Sequence, residues 1–286
     1  MALPERSFGP GDSGIYLDTS QSEVIDATAG DVALLIPGEE FALEASYERL
    51  GPDLLLSGEG HTVFVQGYFT HEEAPDLYTN DGSAVVRGSV ATRLAGPATP
   101  GQFAQAEAIP GQAPIGIVDN SEGRVFLSRL DGTNVLAEAG TPVFLGDIVE
   151  TEGGSSIGIT FVDNSTFALG ESGRMIIDEL VYDPVDGTGE SAFNVLKGVF
   201  SFVSGDIAET GDDAMMVNTP VLSIGVRGTT VAGRAAAEGS ANTVTLLPDA
   251  SGTVGAIAVS NEAGVQVMSQ PFATTTVTSL FEAPPI

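Results

Sequence analysis

Apolar and polar positions alternate through most of residues 115–270 with the period of a strand. In "SSIGITFVDNSTFALG", Ile157, Ile159 and Phe161 share one face, Asp163-Asn164 supplies a turn, and Phe167 and Leu169 return on the other side of it. Asp131-Gly132 sits between "RVFLSRL" and "TNVLAEA", a two-residue hairpin signal. The run "FNVLKGVFSFV" is apolar on both faces and predicts a strand buried between two layers. "NTVTLL", "TVGAIAV" and "VQVM" predict further short strands. No long amphipathic helix is expected after residue 115.

The first 95 residues predict a second β-rich unit. "DVALLIPGEEFAL" reads as strand, Pro37-Gly38 turn, strand. "DLLLSGEGHTVFVQGYF" reads as a hairpin with Leu54–Leu56 on one arm and Thr62–Val65 on the other, and Asp81-Gly82 marks a further turn. The expected layout is a disordered N-terminus at 1–14, a β module at 15–95, a Pro/Gly-rich linker at 96–114, a second β domain at 115–270 and a loose tail at 271–286. The fold class is all-β, with the second domain a sandwich or roll of short antiparallel strands. "GDIVET" at 146–151 recurs as "GDIAET" at 205–210, which reads as one turn type used twice rather than as two related halves.

Charge narrows the choice of partners. The 286 residues carry 10 Lys+Arg against 39 Asp+Glu, a formal net charge of −29, with Lys197 the single lysine. Such a field repels phosphate backbones and anionic membranes, so nucleic acid is not expected, whereas divalent cations and basic proteins suit it. Cysteine is absent, which removes disulfides, thiolate catalysis and cysteine zinc sites. No apolar run reaches the ~20 residues of a transmembrane helix, and the N-terminus lacks the apolar core of a signal peptide. Extracellular or cell-surface residence through a route that reads no N-terminal signal is expected, with the cytoplasm as the alternative.

Candidate chemistry is sparse. Gly154-Ser155-Ser156-Ile157-Gly158 has the form of a nucleophile elbow, but both histidines, His61 and His71, precede Ser156 and the flanks read strand–turn–strand. The two histidines have no third ligand spaced to join them. Lys197-Gly198 is in the wrong order for a phosphate loop. In "YDPVDGTGE", Asp183, Asp186 and Glu190 surround a Gly-rich turn, leaving two readings open: a solvated acidic turn or a calcium site. Asn164-Ser165-Thr166 matches a glycosylation sequon by chance composition of a turn. No cofactor and no enzymatic activity are expected.

"NTPVLSIGVRGTTVAG" resembles the signature strand of FecR-type domains: Thr219-Pro220, an apolar alternation, then Arg227-Gly228-Thr229. "GDIVETEGGSSIGITFVDNSTFALG" and "LKGVFSFVSG" resemble the family's upstream motifs in the same order, so the similarity covers about 117–235, continuing more weakly to about 270. On the strand itself, Leu222, Ile224 and Val226 are expected inside. Gly225 leaves room on the other face for a buried Arg227 that braces loop carbonyls or a carboxylate, with a ligand or partner contact as the alternative, and Gly228 permits a bulge. The resemblance implies a non-enzymatic module. One reading is a secreted or cell-surface structural piece, adhesin-related, that binds a protein partner or itself. The alternative is an envelope sensor or regulatory ligand-binding module. The best-known relatives are iron-transport regulators with a membrane helix, which this sequence lacks.

Overall fold

The computed structural model describes residues 22–27, 33–38, 41–96 except 59, 72, 81 and 83, and 113–285 except 212, 238 and 250. The expected disordered N-terminus and most of the linker lie outside the described residues.

The N-terminal unit holds β1 (Ser22–Asp26), β2 (Ala33–Ile36), α1 (Phe41–Glu44), β3 (Ser46–Leu50), β4 (Asp53–Gly58), β5 (His61–Gln66), β6 (Asp76–Thr79), β7 (Val85–Val86) and α2 (Gly88–Leu94). These strands make two small sheets, β1-β5-β4-β3 and β2-β6-β7, in which β1 pairs β5 and β2 pairs β6 in parallel. The β4–β5 hairpin forms where the alternation placed it, with Leu54 opposite Val65. The segment after Gly38, expected as a strand, is instead the single turn α1, burying Ala42 and Leu43. Its apolar run is too short for periodicity to separate helix from strand. The helix α2 was equally illegible. It buries Val90, Ala91 and Leu94 along one side. Gly88 opens it because a Cβ there would sit 1.7 Å from the Ala74 carbonyl oxygen.

The rest of the chain is all-β. It runs through β8 (Gly116–Glu122), β9 (Val125–Ser128), β10 (Asn134–Leu136), β11 (Pro142–Val143), β12 (Ile148–Thr151), β13 (Ser156–Phe161), β14 (Thr166–Leu169) and β15 (Arg174–Asp183). It continues through β16 (Thr188–Val203), β17 (Met215–Asn218), β18 (Ser223–Arg227), β19 (Thr230–Ala235), β20 (Asn242–Leu247), β21 (Ala256–Asn261), β22 (Gly264–Met268) and β23 (Thr274–Val277). One layer has the order β10-β9-β12-β15-β16-β17-β18-β21-β22, and the other β11-β8-β13-β14-β16-β19-β20-β23.

Strand β16 belongs to both layers, which corrects the expectation that it lies between them. Its first part pairs with β15 and β17, and its second part with β14 and β19. The register slips between Val195 and Lys197, leaving Leu196 as a bulge, and Gly198 follows at φ 111°. Val195 and Leu196 are therefore consecutive yet both buried. That corner is why the sequence is apolar on both faces. Across the core, Phe193 of the first layer packs on Phe161 and Phe167 of the second, with ring centroids 5.1 and 5.4 Å apart.

Three further expectations are corrected. Residues 271–286 are not simply a loose tail: β23 pairs with β20, and Thr275 and Val277 are buried. The repeated "GDI" segments adopt different structures. Gly146 has φ 86° and leads into β12, whereas Gly205 has φ −103° and leads into a 3-10 turn over Asp206–Glu209. The hairpin at Asp131-Gly132 turns over three residues, Leu130–Gly132, since Arg129 N–H donates to the Thr133 carbonyl and Gly132 has φ 84°.

Candidate functional site

The signature segment spans the β17–β18 hairpin and the turn after it. Thr219 closes the hairpin: its N–H donates to the Leu222 carbonyl at 2.7 Å, and its Oγ1 accepts from Leu222 N–H at 3.1 Å. Pro220 is buried, and its carbonyl accepts Val85 N–H of the N-terminal unit at 3.1 Å. Leu222, Ile224 and Val226 are buried as the alternation requires. Gly225 faces a different neighbour than expected: a Cβ there would lie 2.1 Å from Asp213 Oδ1.

The expectation that Arg227 is buried is corrected. It is exposed at the end of β18, on the outward row opposite Ala256. Gly228 makes the next turn at φ 54°, and buried Thr229 donates its N–H to Ser204 Oγ at 2.7 Å. The tight approach here falls on a residue the motif does not include. A Cβ on Gly255 would stand 2.2 and 2.1 Å from the carbonyl oxygens of Arg227 and Gly228.

The three acidic residues of the turn, Asp183, Asp186 and Glu190, are not gathered around one point. Asp183 Oδ1 accepts the N–H groups of Val185 and Asp186, capping its own turn, while Glu190 lies exposed on β16 opposite Val181. Among the described residues no three Asp, Glu or His side chains are placed to hold a metal ion. Gly154 has φ 72° in a β-turn closed by Ser155 N–H to Glu152, and Ser156 opens strand β13 rather than a helix. His61 packs edge-on against Phe41 and His71 binds the Ala27 carbonyl, so the two serve separate places. Asn164 uses its amide on Asp206 at 2.9 Å.

What the sequence did not disclose is a seam between the N-terminal unit and the outer face of the first layer. Among the described residues, Arg87, Arg93, Arg174 and Lys197 reach across it. Lys197 pairs with Glu44 at 3.0 Å. Arg174 pairs with Glu150 at 3.1 Å and donates to the Ala45 carbonyl at 3.3 Å. Arg87 donates to Ser223 Oγ at 3.2 Å.

Arg93, in the last turn of α2, makes the fullest contact. The β15–β16 register slips between Ile177 and Glu179, so Asp178 stands out as a bulge. The guanidinium takes up that irregularity: Nε lies 2.9 Å from Asp178 Oδ1, while the two terminal nitrogens donate to the carbonyls of Ile177 and Asp178 at 3.0 and 2.6 Å. Beside the seam, a groove of about 240 Å³ is lined by Tyr78, Arg87, Thr219, Leu222, Ser260 and Glu262, among others.

Another ion pair lies next to Ile177, whose N–H donates to the Asp147 carbonyl. Asp147, inside the upstream family motif, is buried against Arg129 and accepts Phe144 N–H at 2.8 Å. Burial outweighs these contacts and pushes its carboxyl up to about 6.

The fold and the seam define a two-layer β-domain carrying an attached unit on its outer face. Residues 147–250, from β12 through β20, match the family described as FecR protein. A comparison with curated proteins finds no match. Two crystal structures of a candidate anti-sigma factor from Parabacteroides distasonis ATCC 8503 are similar over 46% of this chain, at 16% identity and a TM-score of 0.36. The chain spans about half (54%) of the length of that protein. No helix among the described residues is long and apolar enough to cross a membrane.

Proposed function

We propose that this chain is a non-enzymatic regulatory module of the bacterial envelope that works through protein–protein contact. The observation that carries the reading is the match of residues 147–250 to the FecR family. Its setting is consistent: the signature Thr219–Pro220 turn faces the N-terminal unit through Val85, and Arg87, Arg93, Arg174 and Lys197 bridge the two parts. In this reading Thr219, Pro220, Gly225, Gly228 and Thr229 shape the domain, and no residue performs chemistry. Neither the fold nor the comparisons support an adhesive role.

Fractionating the native host into cytosol, periplasm, outer membrane and culture supernatant tests the reading. The chain is expected in the periplasm or outer membrane, with a sigma factor encoded beside its gene. Purely cytosolic recovery overturns an envelope role, and recovery in the supernatant beside a type I exporter gene points to a secreted structural piece instead.

A further inference from the structure

The layer that carries the seam ends at β22, whose far side has no backbone partner among the described residues. Free edges are usually blunted by charge, proline, shortness or a bulge. The other three layer ends follow that rule or are otherwise engaged. β10 has three residues, β11 has two including Pro142, and β23 is a threonine row whose Thr275 hydroxyl donates to the Pro285 carbonyl. The five residues of β22, Gly-Val-Gln-Val-Met, carry neither a charge nor a proline.

Its outward side chains continue a face whose other end is already covered. Register places Ile176, Asn194, Asn218, Ser223, Ser260 and Val265 in one row across the layer. At one end of the row Ile176 is fully buried, and Arg87 of the N-terminal unit reaches Ser223. At the other end the cover stops, leaving Val265 and Val267 at 68% and 61% exposure. One carboxylate adjoins this uncharged strip and two lie farther along the same face, two and five strands from β22. Glu262 stands at the turn into β22, Glu179 shares the outward row of Val267, and Asp213 overlies Gly225 in that row.

We propose that β22 receives an extended segment of a protein partner as an added strand, apolar at alternate positions and flanked by Lys or Arg. The main-chain groups of the edge supply the ladder, with the Val267 carbonyl exchanging its present bond from Gln266 Nε2 for one from the partner; Val265 and Val267 supply the apolar face, and the carboxylates with the net charge of −29 select basic flanks. The same charge opposes a second copy of this chain as the occupant. This surface is distinct from the seam, so the inference goes beyond the functional reading above.

The test uses the full chain and two short synthetic peptides of alternating valine and threonine, one bracketed by lysines and the other by glutamates. Amide hydrogen exchange is expected to slow at Gly264–Met268 with the lysine peptide and not with the glutamate peptide. The V265K/V267K variant, altered only at exposed positions, is expected to bind the lysine peptide at least about tenfold more weakly. Val185→Lys, at 90% exposure on another turn, is expected to leave binding within about twofold. Absence of protection at β22, equal effects of the two peptides, or undiminished binding by V265K/V267K overturns the proposal. So does protection of β22 by self-association without peptide.

Discussion

Arg93 and Asp178 meet where a β-bulge leaves two carbonyls and a carboxylate within reach of one guanidinium, with Nε 2.9 Å from Asp178 Oδ1. Both side chains are largely shielded, at 25% and 21% exposure, so the contact is screened less than a surface pair. Arg93→Ala is expected to cost about 2 kcal/mol in a urea titration, and Arg93→Lys to recover less than half, because an ammonium cannot match the fork. Equal stability of wild type and Arg93→Ala counts against the clamp.

Cutting the chain between residues 96 and 114 tests the seam as a whole. The Pro/Gly-rich composition there makes it the expected first site of limited proteolysis. The two fragments are expected to elute together from a sizing column and to separate when Arg93 and Arg174 are both replaced by alanine. Separation of the unaltered fragments at moderate salt shows that the seam does not hold by itself.

Asp147 gives a pH signature. Its carboxyl is raised from 3.8 to about 6 by burial, so the folded state holds a proton that the unfolded state has released. Stability from this group is full below about pH 4 and is lost as pH rises through about 6. Compared with Asp147→Asn, the wild type is expected to lose up to about 3 kcal/mol across that window. Parallel pH profiles for the two proteins contradict this.

The glycines separate by what surrounds them. Gly255→Ala places a methyl against two carbonyl oxygens of the turn after β18 and is expected to cost about 3 kcal/mol or more. Gly225→Ala meets only the end of the exposed Asp213 side chain, which can swing away, so about 1 kcal/mol is expected. Gly153→Ala meets nothing within 4 Å and is the control. Thermal melts rank the three, and a Gly225 effect larger than that of Gly255 reverses the assignment.

At a net charge of −29 the folded state repels itself, so sodium chloride is expected to raise the melting temperature. Calcium chloride at matched ionic strength is expected to add nothing specific, because Asp183, Asp186 and Glu190 do not converge. A calcium-specific rise that disappears in Asp186→Asn shows that the ion assembles the site.

Strand alternation was legible because it is local: Ile157, Ile159 and Phe161 turn inward by the pleat of the backbone alone, and so do Leu222, Ile224 and Val226. The family motifs were legible for the same reason, since they record turns and strands contiguous in the chain. The sequence also carried the charge imbalance and the scarcity of cations. It could not say where those cations go. Arg227 drew attention beside two glycines yet is exposed, whereas Arg93, in an unremarked segment, closes on a bulge some 85 residues away. Bulges at Asp178 and Leu196 arise from register between strands, which no single strand encodes. Gly255 looks like any turn glycine until the turn after β18 is laid across it. Local periodicity therefore determined the strands and their buried faces. Which cation meets which carbonyl, which strand crosses between layers and which edge stays open were decided only when distant segments packed together.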